Sequence, residues 1–391
     1  IARAVAEYLQ IFDDVIASNE KINIKGDNKR QVLDERFGKK GYDYVGNSNA
    51  DLKVWTGSSN SIIVNASRSL HSQASKVAKV SKTFPPYNIT ISDWFRALRV
   101  HQWLKNMLLF VPLLASHQFD NIQSFSTLIL AFISFSLCAS FVYITNDLVD
   151  LESDRNHPKK RDRPFASAKL PILAGVILSP LLVFLSLILG WIIGLYFFVL
   201  LILYIVLTSI YSFLIKKIII LDCLTLSALF TLRIFAGAAA TSIVVSFWLF
   251  VFSIFLFLSL AFVKRYAEIY TQKKIGKIHL YGRGYLVTDA PLIQILGVVS
   301  GYAAMVVFAL YLSSEKVTML YSQPILLWLA KPLLIFWISW VWLKAHRGEV
   351  DDDPIMFAIK DKTSLLVFSL IIFVFLGAYK LQDLIKIFFN F

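Results

Sequence analysis

Only two cysteines, Cys138 and Cys223, stand in 391 residues. Each lies inside an apolar run, so the pair reads as packing residues without disulfide or metal-ligand spacing. Charged residues are also scarce, 17% against 57% hydrophobic, which excludes an ordinary soluble globule of this length. Acids are the scarcer sign, 26 against 39 Lys plus Arg, for a formal charge of +13. A basic surplus can serve nucleic acid, but these bases fall between long apolar runs, where they set membrane topology, and no nucleic-acid partner is expected. The residues after Ile1 hold no basic stretch followed by an apolar core, so no signal peptide is expected among them, and the true start is expected upstream.

What is present divides at about residue 85. Before it, "ARAVAEYLQIFDDVIAS" (residues 2–18) has helical spacing, "YDYVGNSNADLKVW" (42–55) reads as strand, tight turn and helix start, and "SIIVNAS" (61–67) as a buried strand. That alternation predicts an α/β domain with a parallel sheet over residues 1–85. The Lys/Ser-rich piece Ser75 to Lys82 and "FPPYN" at Phe84 to Asn88 predict the boundary.

Residues 90–391 form a series of apolar segments near the ~20 residues that cross a bilayer. Nine are expected: 103–118, 124–145, 170–189, 191–214, 218–241, 245–263, 291–313, 324–344 and 364–381. The first is short and contains Pro112. Bases gather in alternate connections: Arg96, Arg99 and Lys105; Arg155, Lys159, Lys160, Arg161, Arg163 and Lys169; Lys216 and Lys217; Lys264, Arg265, Lys273, Lys274, Lys277 and Arg283; Lys344, Arg347, Lys360 and Lys362. The other connections hold little beyond Lys316. This bias predicts that the N-terminal domain and the basic loops face the cytoplasm at a bacterial-type plasma membrane.

The second segment runs into "NDLVDLESDRNHPKKRDRP", Asn146 to Pro164. Continued as a helix, it stacks Asp147, Asp150 and Asp154 on one face, with Asn146 on the same stripe and Glu152 pointing away. Carboxylates stacked in this way repel one another, and a hard divalent cation resolves the repulsion. Magnesium leaves positions for phosphate oxygens, and the bases after Pro158 can grip a diphosphate. A solvated acidic helix end followed by topology-setting bases would read similarly.

Two resemblances sharpen the picture. "NIKGDNK" (Asn23 to Lys29) and "YVGNSNADL" (Tyr44 to Leu52) resemble the C-terminal half of a haloacid dehalogenase-type phosphatase. That likeness implies a phosphoryl-steadying lysine, best matched by Lys25 with Lys29 second, and an acidic magnesium turn matched by Gly46 and Asp51, with Asn47 where an aspartate is common. The nucleophilic Asp-x-Asp segment is not in this sequence, so no phosphatase turnover is expected of it. "NDLVDLESDRNHPKKRDRPFAS" closely resembles the first aspartate-rich motif of the UbiA-type intramembrane prenyltransferases, and "RALRVHQWLKN" (Arg96 to Asn106) the start of their first helix. This resemblance spans about residues 90–391 and implies nine transmembrane helices around a central cavity with its polar end at the cytoplasm.

Most members of that family hold a prenyl diphosphate between two aspartate-rich motifs, with magnesium, for transfer to an aromatic acceptor. At the second position this sequence has "VKRYAEIY", with Lys264, Arg265, Tyr266 and one acid, Glu268. The departure, with "LDCLTLSALFTLRIFAGAAA" (Leu221 to Ala240), is similar to the decaprenyl-phosphate phosphoribosyltransferase branch. It implies that magnesium on Asp147, Asp150 and Asp154 holds phosphoribosyl pyrophosphate and that a polyprenyl phosphate is the nucleophile. Lys105, Asn106, Asn146, Lys160, Arg161, Arg163, Lys264, Arg265, Tyr266 and Glu268 are then expected to line the substrates, and His101 and His157 to be structural or auxiliary.

Arg233 lies inside an apolar segment, where it must face the cavity or pair with an acid; phosphate contact is expected, with a structural ion pair as the alternative. Asp222 could line the site. "HRGEVDDDPIMFAIKD" (His346 to Asp361) is a third polar cluster, in which Asp352 and Asp353 cap a helix or meet a ribose hydroxyl or second metal. A transporter would spread polar residues through several segments and repeat internally, and neither is seen. Aromatic prenyl transfer is the rival within enzymes.

Overall fold

Each apolar run between basic loops folds as a helix, because in lipid every backbone amide must find its partner within the segment. The computed structural model describes residues 2–18, 23–85, 87–116, 121–156, 160–280, 282–314, 317, 320–350 and 353–389. It divides into two units, Ile1–Thr90 and Ile91–Phe391. His157, Pro158, Lys159, Lys316 and Asp352 lie outside the described residues.

Among its described residues the second unit carries eight long helices: α1 (Ile122–Val149), α2 (Ile172–Ile193), α3 (Leu195–Phe213), α4 (Leu221–Thr241), α5 (Phe247–Lys274), α6 (Ala290–Leu312), α7 (Ala330–His346) and α8 (Lys362–Phe389). All eight, α6 and α7 together with the 3-10 turns before them, contain segments long and apolar enough to cross a membrane. Small residues let them approach. Ser134 and Ser186 each donate to the other's backbone carbonyl at 2.8 Å, joining α1 to α2. Ser259 on α5 donates to the Gly297 carbonyl on α6 at 2.7 Å and accepts from Trp342 Nε1 on α7 at 3.1 Å. Such hydroxyl bonds and close contacts replace the hydrophobic drive that lipid removes. Outward faces stay apolar, as at Ile177, Phe184, Trp191 and Tyr196.

The first expected segment departs from the rest. It is an 11-residue 3-10 helix, Val100–Phe110, followed by a short α-helix, Val111–Ala115. Runs of 3-10 helix beyond three or four residues are uncommon, so something must hold this one. Its period of three places Trp103, Asn106 and Leu109 on one face. Trp103 Nε1 donates to Ser140 Oγ at 3.0 Å, and Asn106 Nδ2 to Ser136 Oγ at 3.0 Å. The Leu109 backbone lies against Gly237 of α4 so closely that a Cβ there would collide with its carbonyl. Tertiary contacts therefore fix a pitch that propensity does not favour.

The first unit holds a three-stranded parallel sheet in the order β1 (Tyr44–Gly46), β2 (Ser61–Val64) and β3 (Val80–Phe84). The expected α/β alternation is present, but two details change. The helix expected over residues 2–18 spans only Ala2–Leu9, ended at Gln10 by a left-handed backbone (φ 51). The piece expected as linker, Ser75 to Lys82, closes the helix Arg68–Val77 and opens β3. As an exposed edge strand, β3 carries Ser81, Lys82 and Thr83, and so imitates a linker in composition. A three-stranded sheet is not a complete haloacid dehalogenase domain. Lys25 is exposed, whereas Lys29 lies 4.0 Å from Asp51 and donates to Tyr44 Oη at 3.0 Å.

Candidate active site

The acidic stretch continues α1 through a soft joint. Asp150 sits at the joint (φ −88, ψ 12) and donates its N–H to the Asn146 carbonyl at 2.9 Å, and Asp154 N–H reaches the Asp150 carbonyl at 2.8 Å, so the helical ladder runs on into Leu151–Asn156. Asp147 and Asp154 are buried, at 3% and 1% exposure, while Glu152 faces solvent. Asp147 Oδ1 accepts from Arg99 Nη2 at 2.6 Å and from Arg163 Nη1 at 3.1 Å. The same Arg163 nitrogen donates to Asp154 Oδ2 at 2.5 Å. Lys160 Nζ stands 3.9 Å from Asp154 Oδ1, a buried oxygen that accepts no hydrogen bond among the described residues. Asp150 is half-buried and has no ion pair among the described residues.

The bases are aimed by local packing. Phe165 and Leu170 are buried beside the turn that carries Lys160 to Asp162, Phe165 fits against Gly175 of α2, and Ser167 Oγ donates to the Arg163 carbonyl at 2.8 Å. Arg161 is exposed. Asn146 turns toward α3, its Nδ2 donating to Ser212 Oγ at 3.2 Å.

Arg99 belongs to this cluster, although the sequence marks it only as a topology-setting base. Its backbone is left-handed (φ 51, ψ 47), immediately before the 3-10 helix, and its guanidinium lies 4.7 Å from the Tyr143 ring, one turn before Asp147. A β-carbon in that conformation is strained by ~1–2 kcal/mol, and strain persists where the surroundings over-determine it. Arg99→Gly relieves the strain while deleting the guanidinium. A melting temperature equal to or above that of the unaltered protein, with loss of phosphate-ligand binding, is expected; a clear fall in melting temperature would mark Arg99 as a structural strut.

The segment expected to grip a substrate phosphate is arranged differently. Arg265 is fully buried, pairing with Asp222 Oδ2 at 2.5 Å and with Glu268 one turn on. Arg283 approaches both acids at 3.9 Å and donates to Tyr211 Oη at 2.9 Å, while Tyr285 Oη donates to Asp222 Oδ1 at 2.6 Å. The network ties α3, α4 and α5 to the loop after α5. Two acids and two bases balance within it, so Arg265 and Glu268 are committed to each other and to Asp222. Tyr266 Oη meets His346 Nδ1 at 3.1 Å. Lys264 is half-buried and outside these ion pairs.

Lys105 pairs with Asp353, whose Oδ1 also caps the helix Pro354–Lys360 by accepting from Ile355 N–H at 3.1 Å. Burial alone would raise the Asp353 carboxyl, but Lys105 and then Lys264 hold it below the usual carboxylate range. Arg233 pairs with no acid among the described residues. Its Nε donates to Asn106 Oδ1 at 3.0 Å, Nη1 to the Leu229 carbonyl at 2.6 Å and Nη2 to Tyr204 Oη at 2.9 Å.

Among the described residues of the second unit, the Asp147 cluster alone brings a buried carboxylate pair together with several partly exposed bases. That composition suits a divalent cation and a polyanion bound together. No group of three or more metal-ligating side chains converges among the described residues. Asp147 and Asp154 nevertheless share one Arg163 nitrogen, and Asp154 Oδ1, buried and without a hydrogen bond among the described residues, is a carboxylate oxygen of the kind magnesium takes.

Comparison with known proteins agrees with this architecture. Nodulation protein NoeC of Azorhizobium caulinodans is 38% identical over 281 residues, covering 71% of this chain and 90% of that protein. Decaprenyl-phosphate phosphoribosyltransferase of Mycobacterium tuberculosis is 32% identical over 198 residues, 50% of this chain and 65% of that enzyme. The structure of a UbiA homologue from Archaeoglobus fulgidus bound to GPP and Mg2+ shares the fold, with a TM-score of 0.54 at 17% identity over 72% of this chain and 99% of the homologue. Residues 107–365 match the model of the UbiA prenyltransferase family, and with the acid-bearing helix and the surrounding bundle they establish that this chain belongs to that family of membrane transferases.

Proposed function

We propose that this transferase moves 5-phosphoribose from phosphoribosyl pyrophosphate to a polyprenyl phosphate, with magnesium, at the cytoplasmic face of the membrane. The observation that carries the reading is the fate of Glu268. The only acid of the Val263 to Tyr270 segment is neutralised by Arg265, so Asp147 and Asp154 remain as one acidic cluster for one diphosphate. Prenyl transfer to an aromatic acceptor, with a second acidic motif, has no counterpart for that motif here. The partial likeness to decaprenyl-phosphate phosphoribosyltransferases supports the same choice.

Asp147 and Asp154, joined by Asp150, are the residues that would hold magnesium, which when bound offsets the charge gathering on the departing diphosphate. Arg99, Arg163 and Lys160 are within reach of the carboxylates and partly exposed, an arrangement of bases that suits contact with phosphate oxygens. As the anomeric C–O bond to diphosphate breaks, an oxygen of the lipid phosphate forms the new bond to that carbon. The lipid phosphate is already ionised, so no general base is required. For the N-terminal unit, which shows only a small three-stranded sheet, the haloacid dehalogenase likeness rests on the turn from Gly46 to Asp51 and on Lys29 alone. Its Asp51 carboxylate is already occupied by Asn47 and Ser48 N–H, Ser48 Oγ and Tyr44 Oη, which argues against phosphatase turnover.

The test is to incubate membranes containing the protein with magnesium, labelled phosphoribosyl pyrophosphate and polyprenyl phosphate. Label is expected to move into the organic phase with release of diphosphate. Recovery of a prenylated aromatic acid from prenyl diphosphate, with no lipid-linked ribose, would overturn the reading in favour of prenyl transfer.

A further inference from the structure

We infer that Arg233 is a positioning residue, which acts through Asn106 to hold the 3-10 helix Val100–Phe110 at the pitch that sets Arg99 on Asp147 and Lys105 on Asp353. The inference rests on the Asp147 cluster being the diphosphate site. Arg233 lies ~18 Å along α4 from Leu221 at ~1.5 Å per residue, near the middle of a hydrocarbon layer ~30 Å thick. A buried arginine at that depth demands polar partners, and three are present: Asn106, Tyr204 and the Leu229 carbonyl, with the Tyr204 ring 4.9 Å beneath the guanidinium.

Asn106 is the joint. It is 1% exposed and uses both ends of its amide, accepting from Arg233 and donating to Ser136 of α1. From Asn106 back to Val100 the 3-10 helix extends ~12 Å at ~2.0 Å per residue, so Arg233 meets that helix well away from the end that carries Arg99. The influence of Arg233 on that site therefore runs through the helix. Between 3-10 and α geometry each residue differs by about 20° and ~0.5 Å, so relaxation of those six residues would swing Val100 by about 120° and shorten the segment by ~3 Å. Arg99 would leave Asp147, and Lys105 would shift relative to Asp353.

The experiment compares Asn106→Leu, Arg233→Met and the double variant in detergent, with Ser136→Ala as a milder cut of the same joint. Hydrogen exchange of the 100–110 peptide reports the helix without any ligand, and calorimetry reports binding of magnesium with inorganic diphosphate, the product common to both transfer chemistries. Each single variant is expected to lose protection in that peptide and to bind diphosphate about tenfold more weakly, with the double variant no worse than the worse single and Ser136→Ala shifted the same way. Additive losses in the double variant, or weaker binding with the peptide still protected, would show Arg233 touching the ligand itself and overturn the inference. Because the exchange measurement needs no substrate, its outcome is separate from the identity of the transferred group.

Discussion

Asp147→Asn, Asp150→Asn and Asp154→Asn are each expected to abolish turnover, by more than ~100-fold, while Glu152→Gln keeps most of it. The amide has the shape of the carboxylate but neither its charge nor its affinity for a hard cation. Asp147 and Asp154 are buried in the cluster and Glu152 faces solvent, so the same chemical change falls inside and outside the site along one helical ladder. Folding should survive in the first three. The bases released, Arg99 and Arg163, have side chains 22% and 26% exposed, so water can solvate them and the lost ion pairs cost less than fully buried ones. The check is magnesium-dependent release of diphosphate, together with manganese binding followed spectroscopically and a thermal melt. Equal damage from Glu152→Gln would refute the single acidic face.

Why this face was legible and Arg99 was not is a matter of range. Asp147, Asp150 and Asp154 lie within one helix and follow its period, so spacing alone stacks them. Arg99 meets Asp147 across the fold, by way of a left-handed backbone residue and a 3-10 helix whose pitch depends on Ser136, Ser140 and Gly237. No local pattern around Arg99 encodes that geometry. The long apolar segments were legible because length and hydropathy suffice for them. The first segment was the exception, since its register is set by two side-chain hydrogen bonds and one backbone contact made after folding. Likewise Arg233 was recognisable as a costly cation inside an apolar segment, and Lys105 and Arg265 as bases at the cytoplasmic ends of such segments. Which partner each would find, Asp353, Asn106 or Asp222, depended on residues far along the chain.

Arg265→Met is expected to cost ~3–5 kcal/mol of stability, because it leaves Asp222 and Glu268 without their buried partner. Both Arg265 and Asp222 have fully buried side chains, so water cannot replace the lost interaction. Arg265→Lys should rescue little: one guanidinium spans two acids, Nη2 toward Asp222 and Nη1 toward Glu268, and a single ammonium does not reproduce that fork. Removing one acid as well, in Arg265→Met with Asp222→Asn, should recover part of the loss and show the coupling directly. Lys264→Ala, one residue away and outside the network, is expected to melt with the unaltered protein and to weaken binding of the anionic substrate. Thermal melts in one detergent, read beside substrate affinity, separate the two neighbours. An Arg265→Met protein that melts normally yet fails to bind substrate would return Arg265 to the substrate-binding role that its sequence context suggests.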